Sequence, residues 1–120
     1  MRHLMSNNSR LYNLQKLYEI ENKDNGFIKE VVNLFLNTIP PTSKALVKAA
    51  KEKKWDDVYF LAHKMKANID LLNIETIQTE IRLVEENAKS KINGDTLKKI
   101  NFIHSIIEKV THQLQEDFSK

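Results

Sequence analysis

The segment LAHKMKANIDLL contains a histidine whose neighbours one helical turn away suit a reactive imidazole. Tyr59 and Phe60 precede His63 by one turn, and residues three and four apart lie side by side on a helix. Lys66 and Ala67 follow it by one turn. A neutral imidazole is a competent nucleophile, the lysine offers charge for an anion, and the alanine leaves room for another molecule. This combination favours phosphoryl transfer through the imidazole.

The same segment is amphipathic, and its apolar positions predict that His63 faces water. On a wheel of ~100° per residue, His63 lies roughly 150° from the centre of the apolar arc. Phe60 and Ala67 fall on the same outer side. We therefore expect an exposed imidazole in the middle of a helix. The apolar arc consists of Val58, Leu61, Ala62, Met65, Ile69 and Leu72.

Composition limits the classes of protein that have to be considered. The 120 residues suffice for one core, and 41% hydrophobic residues with two glycines and two prolines favour a helical domain. The absence of cysteine excludes disulfides and thiolate chemistry. Since 19 basic and 16 acidic residues are intermingled, nucleic-acid binding is not expected. No apolar run approaches the ~20 residues of a membrane span, so a cytoplasmic protein without membrane insertion is expected.

Breakers divide the chain into amphipathic segments of helical length. Asp24 or Asn25 is suited to cap the second segment, Asn73 is suited to cap the fifth, and Pro40 is predicted to end the second helix. Residues 1–10 are interpreted as a tail and 11–120 as a single domain. The predicted helices cover 11–20, 25–39, 41–53, 56–71, about 74–91 and 95–118.

The expected fold follows from these segments. Amphipathic helices joined by short turns pack against each other in opposite directions. We therefore expect an all-α fold: an up-and-down antiparallel four-helix bundle with one or two short accessory helices near the N-terminus. The aliphatic stripes of the other segments and Trp55 are interpreted as core.

The segment LAHKMKANIDLLNI resembles the signature of histidine-containing phosphotransfer domains. Ala62, His63, Met65 and Lys66 match that signature directly. The upstream stretch FIKEVVNLFLNTIPPTSKALVKAAKEKKWDDVYFLAH is also similar to this family, in which a helix and a tryptophan precede the histidine helix. The similarity covers roughly residues 11–118.

Two positions depart from the family signature. The family has glycines four and ten residues after the histidine, where this chain has Ala67 and Asn73. Alanine is small enough to leave the approach to the imidazole open. Asparagine tolerates the left-handed conformation that a glycine after a helix would adopt.

The resemblance implies a phosphocarrier. His63 would accept a phosphoryl group from the aspartyl phosphate of a response-regulator receiver domain and pass it to another receiver aspartate, and Lys66 would stabilise the phosphate. The family has no ATP site and no intrinsic cofactor, so the chain would not be an enzyme, and a divalent metal (Mg) is expected in the partner receiver. A hybrid sensor histidine kinase is a further expected partner. The partner-binding residues would be Tyr59, Phe60, Lys64, Ala67 and Asn68, with Asn68 also assisting by hydrogen bonding.

The residues leave other interpretations open. A non-catalytic helical interaction or dimerisation module would use Phe60 as an anchor and need no chemistry. A basic DNA-binding domain would need a recognition helix, which the sequence does not contain. His3, His104 and His112 lack the flanks of His63, so each is interpreted as structural, and no histidine pair has metal-site spacing. The lysines of the KEKKW turn, Lys51, Lys53 and Lys54, are interpreted as solvated.

Overall fold

Five α-helices and one short 3-10 turn make up the secondary structure of residues 10–20, 25–91 and 94–118, which are the residues that this computed structural model describes. No strand occurs within those ranges, so the prediction of an all-helical fold is confirmed. The predicted tail residues 1–9 and the predicted cap Asp24 lie outside them. The helices are α1 (Gln15–Glu19), α2 (Asn25–Lys51), α3 (Trp55–Leu71), α4 (Gln78–Lys89) and α5 (Thr96–Phe118), with the 3-10 turn at Glu75–Ile77.

The four long helices pack in a ring. Helix α2 contacts α3 and α5, and α4 contacts the same two helices from the other side. Each helix turns a stripe of apolar residues toward the centre, where burial of one such side chain contributes ~1.5–3 kcal/mol. In α3 the predicted apolar arc is confirmed: Val58, Ala62, Met65 and Ile69, with Leu72 just beyond the helix, are buried, and Leu61 is half-buried.

The proline pair does not end a helix, so the prediction of separate helices at 25–39 and 41–53 is wrong. Pro40 and Pro41 lie inside α2, which continues to Lys51. Each proline removes a backbone N–H from the helix, at a cost of ~3 kcal/mol. The buried stripe crosses them without a change of phase, because Ile39 and Leu46 are buried two turns apart. Burial on both sides of the proline pair therefore outweighs the missing hydrogen bonds.

The N-terminal segment is held against the ends of two helices. Arg10 forms two hydrogen bonds with Asp117 of α5, at 2.7 and 3.1 Å, and the Tyr12 hydroxyl donates to the same carboxylate. The Asn13 N–H donates to the carbonyl of Leu72 at 2.9 Å. Arg10 is therefore not part of a free tail. Because these contacts hold the segment in a non-helical form, α1 is shorter than the predicted helix 11–20.

Asn73 has the left-handed conformation that the sequence allowed for. Its φ is 51°, and its N–H donates to the carbonyl of Asp70 at 3.0 Å. The N–H of Ile74 donates to the carbonyl of Ile69, also at 3.0 Å. These two bonds form a Schellman motif that ends α3. The predicted capping of the next helix by Asn73 is wrong, because the 3-10 turn intervenes and α4 begins only at Gln78.

Replacing Asn73 with alanine is expected to lower the free energy of unfolding by about 1 kcal/mol, because alanine pays a larger penalty at positive φ. Urea unfolding followed by circular dichroism measures the change. The matched variant Asn73→Gly should be close to wild type, since glycine adopts this conformation freely. Equal losses of unfolding free energy in Asn73→Ala and Asn73→Gly would show that the contacts of the Asn73 side chain, and not its backbone conformation, account for the effect.

Candidate functional site

The imidazole of His63 is exposed in the middle of α3, as the amphipathic pattern predicted. Its side chain is 59% exposed, although Ala62 before it and Met65 after it are buried in the core. The helix is therefore anchored on one side and presents the ring on the other. An imidazole on a packed helix is held in place more firmly than one on a loop, which favours a role that needs a defined orientation.

Glu85 of α4 is hydrogen-bonded to one nitrogen of this ring. Its Oε2 lies 2.6 Å from Nδ1 of His63, and its side chain is only 13% exposed. Glu85 was not among the predicted site residues, and it lies 22 residues from His63 in the chain. Nothing close to the histidine in sequence points to it. Only the register between α3 and α4 brings the two groups together.

Lys66 binds the other oxygen of the same carboxylate. Its Nζ lies 2.8 Å from Oε1 of Glu85, and its side chain is 30% exposed. Glu85 therefore bridges the imidazole and the ammonium group. Burial by itself would raise the pKa of Glu85, but the hydrogen bonds from Lys66 and His63 together hold that pKa below its ordinary value. The carboxylate is ionised at neutral pH.

The ionised carboxylate determines which nitrogen of His63 carries the proton. A carboxylate only accepts hydrogen bonds, so Nδ1 must be the donor of the 2.6 Å bond to Glu85. In the neutral ring the lone pair is then on Nε2. Within the described part of the chain, Nε2 of His63 has no hydrogen-bond partner. The nitrogen that carries the lone pair is therefore available on a side chain that is 59% exposed.

Two aromatic residues adjoin the histidine on α3. The ring of Tyr59 stacks on the imidazole, with centroids 5.9 Å apart and planes inclined by 18°. Phe60 is 61% exposed, and the ammonium of Lys64 lies 5.9 Å from its ring centroid. Stacking covers one face of the imidazole but leaves its edge open. Because the lone pair of Nε2 lies in the ring plane, Tyr59 does not obstruct it.

The two remaining predicted site residues, Ala67 and Asn68, differ in how exposed they are. Ala67 is exposed one turn after His63, where the sequence placed it. Asn68 is half-buried, and its amide lies 3.4 Å from the carbonyl of Lys64 on its own helix. Its amide makes no hydrogen bond with the imidazole among the described residues, and the assistance of phosphoryl transfer by Asn68 stays a prediction.

A groove beside Phe60 extends the exposed surface onto α2. It has a volume of about 310 Å³, and Phe60 forms part of its wall. Leu34 of α2, 65% exposed, is a separate apolar residue at the surface that does not line this groove. Exposed apolar area of this kind is typical of protein-binding surfaces. The residues that line the groove are Ala45, Lys48, Ala49, Glu52, Lys54, Asp57, Phe60 and Leu61.

The other histidines have different surroundings. His104 of α5 lies with Nδ1 2.7 Å from the hydroxyl of the buried Ser43, so it joins α5 to α2. This contact agrees with the structural interpretation of His104. His112 is exposed, and His3 lies outside the described residues. Trp55 is half-buried against the core, as expected of a packing anchor.

The ionised state of Glu85 predicts how stability depends on pH. An unfolded glutamate titrates near pH ~4.3, and the folded one titrates lower, so its contacts stabilise the fold above that pH. The stabilisation is lost as the pH falls through the lower, folded pKa. We expect Glu85→Gln to reduce the free energy of unfolding at pH 7 and to reduce it much less at pH 3.

Urea unfolding at the two pH values measures this difference. Glu86→Gln is the matched control, because Glu86 is the exposed neighbour of Glu85 on α4 and undergoes the same change of charge. The change in unfolding free energy caused by Glu86→Gln should differ less between pH 7 and pH 3. A loss in Glu85→Gln that is equal at pH 7 and pH 3 would contradict the ionised bridge.

No group of three or more His, Asp or Glu side chains in residues 10–20, 25–91 and 94–118 is arranged to hold a metal ion. Each helix in those ranges is too short or too polar to cross a bilayer. The site described above is the bridge from His63, which stacks on Tyr59, through Glu85 to Lys66. No protein-family model, curated protein or solved structure matches the chain.

Proposed function

We propose that the chain is a phosphocarrier that accepts a phosphoryl group on Nε2 of His63 and passes it on. The single observation that supports this most is the pairing of an exposed imidazole with an ionised, largely buried carboxylate on its other nitrogen. A structural histidine has no need of a free Nε2 on an exposed side chain. A nucleophile has that need, and a base or carboxylate on the second nitrogen is the usual means of orienting it.

The proposed donor is the aspartyl phosphate of a response-regulator receiver domain, as the similarity in sequence implies. The lone pair of Nε2 attacks phosphorus, the bond between phosphorus and the aspartyl oxygen breaks, and the aspartate leaves as a carboxylate. The ring becomes positively charged, and its Nδ1 proton stays against Glu85 at the position of the 2.6 Å bond. Transfer to the aspartate of a second receiver reverses these steps. The receiver would supply the divalent metal, expected to be Mg²⁺, so the carrier needs no ATP site or kinase activity of its own.

Lys66 would stabilise the phosphoryl group by leaving its ion pair with Glu85. The pair is 2.8 Å long and partly exposed, so exchange of the ammonium between carboxylate and phosphate needs only a change of side-chain rotamer. In this proposal Lys66 balances charge and the imidazole forms the bond. Both side chains contact Glu85 of α4.

The partner would dock on the exposed side of α3 and the adjoining part of α2. Phe60 and the groove beside it supply apolar area, and Lys64 supplies charge at the edge. Tyr59, Ala67 and Asn68 complete the proposed surface. The ring of α2, α3, α4 and α5 would then be the up-and-down antiparallel four-helix bundle of histidine-containing phosphotransfer domains. A hybrid sensor histidine kinase that carries a receiver is a further proposed partner.

The direct test is incubation of the purified chain with a receiver domain phosphorylated on aspartate and carrying Mg²⁺. The expected product is a chain with phosphate that is labile in acid and stable in base, mapped to His63 by mass spectrometry. Phosphate on a serine, threonine or aspartate would contradict the proposal. A set of receivers has to be compared, because the rate of transfer identifies the partner.

A second candidate function is a non-catalytic protein-interaction or dimerisation module. The exposure of Phe60 and Leu34 favours it, because both are large apolar side chains at the surface. This function predicts binding to a partner that survives replacement of His63. It also predicts no phosphate on the chain at any concentration of phosphorylated receiver.

A further inference from the structure

Glu85 is placed to affect a phosphorylated imidazole as well as a free one. In the free chain its carboxylate is shared between Nδ1 of His63, at 2.6 Å, and Nζ of Lys66, at 2.8 Å. A phosphoryl group on Nε2 would add negative charge at the opposite end of the same ring. The carboxylate is largely buried, so solvent screens this repulsion less than it would at an exposed site.

Resting on the proposed function, we propose that Glu85 shortens the lifetime of the phosphoryl group on His63, so that the chain is a ready donor and a poor store of phosphate. This role goes beyond orienting the ring. Glu85 is a positioning residue that also acts through its charge.

Three cations on the two helices that carry His63 and Glu85 already have partners, so they compensate the added charge poorly. Lys66 is paired with Glu85, and Lys64 lies over the ring of Phe60. On α4, Arg82 lies one turn before Glu85 and forms two hydrogen bonds with Asp70, at 2.5 and 3.2 Å. A phosphoryl group must therefore draw Lys66 away from Glu85 before it gains a counter-ion. That competition weakens the phosphorylated state.

The proton on Nδ1 also shortens the lifetime of the phosphoryl group. While Glu85 holds this proton, the phosphorylated ring stays positively charged. When the bond between nitrogen and phosphorus breaks, its electron pair returns to Nε2 and the imidazole leaves as a neutral ring. No proton has to arrive from solvent. The phosphoryl group goes to an attacking carboxylate oxygen or to water, and water releases its extra proton to solvent.

Phosphoramidate tests this inference without a receiver. It transfers its phosphoryl group to an imidazole nitrogen, and its amino group leaves as ammonia after taking up a proton. After the reagent is removed, the lifetime of phosphate on His63 is followed by ³¹P NMR and site-resolved mass spectrometry. Glu85→Gln should lengthen it about tenfold, because glutamine still accepts a hydrogen bond from Nδ1 but carries no charge.

Two further variants separate charge from orientation. Glu85→Met removes both the charge and the hydrogen bond, and we expect it to lengthen the lifetime as well. If Glu85 only orients the ring, Glu85→Gln will match wild type and Glu85→Met alone will differ, which would overturn the inference. The matched control Glu86→Gln, an exposed neighbour, should leave the lifetime unchanged. A similar lengthening in that control would also overturn it.

The test distinguishes this inference from the proposed function. Phosphoramidate modifies accessible histidines whether or not a receiver recognises the chain, so failure of receiver transfer leaves the lifetimes measurable. His112 is an internal reference, because it is exposed on α5 and should lose its phosphate at one rate in all variants. Equal lifetimes on His63 in wild type and Glu85→Gln would end the inference even if a receiver phosphorylates His63 efficiently.

Discussion

The His63→Gln chain is expected to take up no phosphate from a phosphorylated receiver, a fall in rate of at least about a hundredfold to the background of the assay. Glutamine keeps a polar side chain but has no nucleophilic nitrogen, so no bond to phosphorus can form. Lys66, Glu85 and the docking surface all remain. The measurement is the initial rate of transfer of labelled phosphate from receiver to chain.

The substitution should leave the fold intact, which makes its effect easy to interpret. The side chain of His63 is 59% exposed, and the glutamine amide can donate a hydrogen bond to Glu85 in place of Nδ1, so we expect the free energy of unfolding to fall by about 1 kcal/mol or less. His112→Gln is the matched control, because it removes another exposed histidine from a helix. It should accept phosphate at the wild-type rate. Uptake by the His63→Gln chain would show that another residue carries the phosphate.

Most of the fold could be predicted from the spacing of apolar residues. The arc from Val58 to Leu72 has a helical period, and the core of α3 follows it closely. The same spacing puts His63 on the opposite side, and the imidazole is exposed there. These predictions succeed because burial of a regular stripe is the largest favourable term in helix packing. A single segment contains all the information they need.

The proline pair shows where a local rule fails. Pro40 disfavours a helix in the residue before it, yet α2 passes through both prolines. The decisive signal was present in the sequence, because Ile39 and Leu46 are seven residues apart and keep one face of the helix apolar. If the helix ended at the prolines, the apolar stripes before and after them would not have to lie on one helix face. Continuity of a buried stripe across a breaker is therefore evidence that the helix continues.

Glu85 could not be predicted, because its role depends on the register of two packed helices. The sequence shows that α4 carries two adjacent glutamates, 85 and 86, but not which of them faces α3. Two pairs of side chains show the register of α3 against α4. Asp70 pairs with Arg82, and His63, which is earlier in α3, pairs with Glu85, which is later in α4. These contacts run in opposite order along α3 and α4. The ion pair of Lys66 with Glu85 could not be predicted for the same reason, since the partner lies on another helix.

Enlarging Ala67 is expected to slow transfer from a receiver about a hundredfold while leaving the histidine itself reactive. Ala67 is exposed one turn after His63, and residues at that spacing have Cβ atoms ~5–6 Å apart. In Ala67→Gln the longer side chain occupies the space through which an aspartyl phosphate has to approach Nε2. A misplacement of about 1 Å in the reacting atoms can cost that factor in rate. The measurement is the single-turnover rate of transfer at saturating receiver.

A small phosphoryl donor separates obstruction from loss of reactivity. Phosphoramidate needs far less room than a protein domain, so it should phosphorylate His63 in Ala67→Gln at close to the wild-type rate. Ala67→Gly keeps the approach open and should transfer normally, although glycine lowers helix stability by about 1 kcal/mol. Asn101→Gln, at an exposed position of α5, controls for adding a glutamine to the surface. If Ala67→Gln accepts phosphate from the receiver as fast as wild type, the partner does not approach along this side of α3, and the docking surface must be sought elsewhere around the ring of His63.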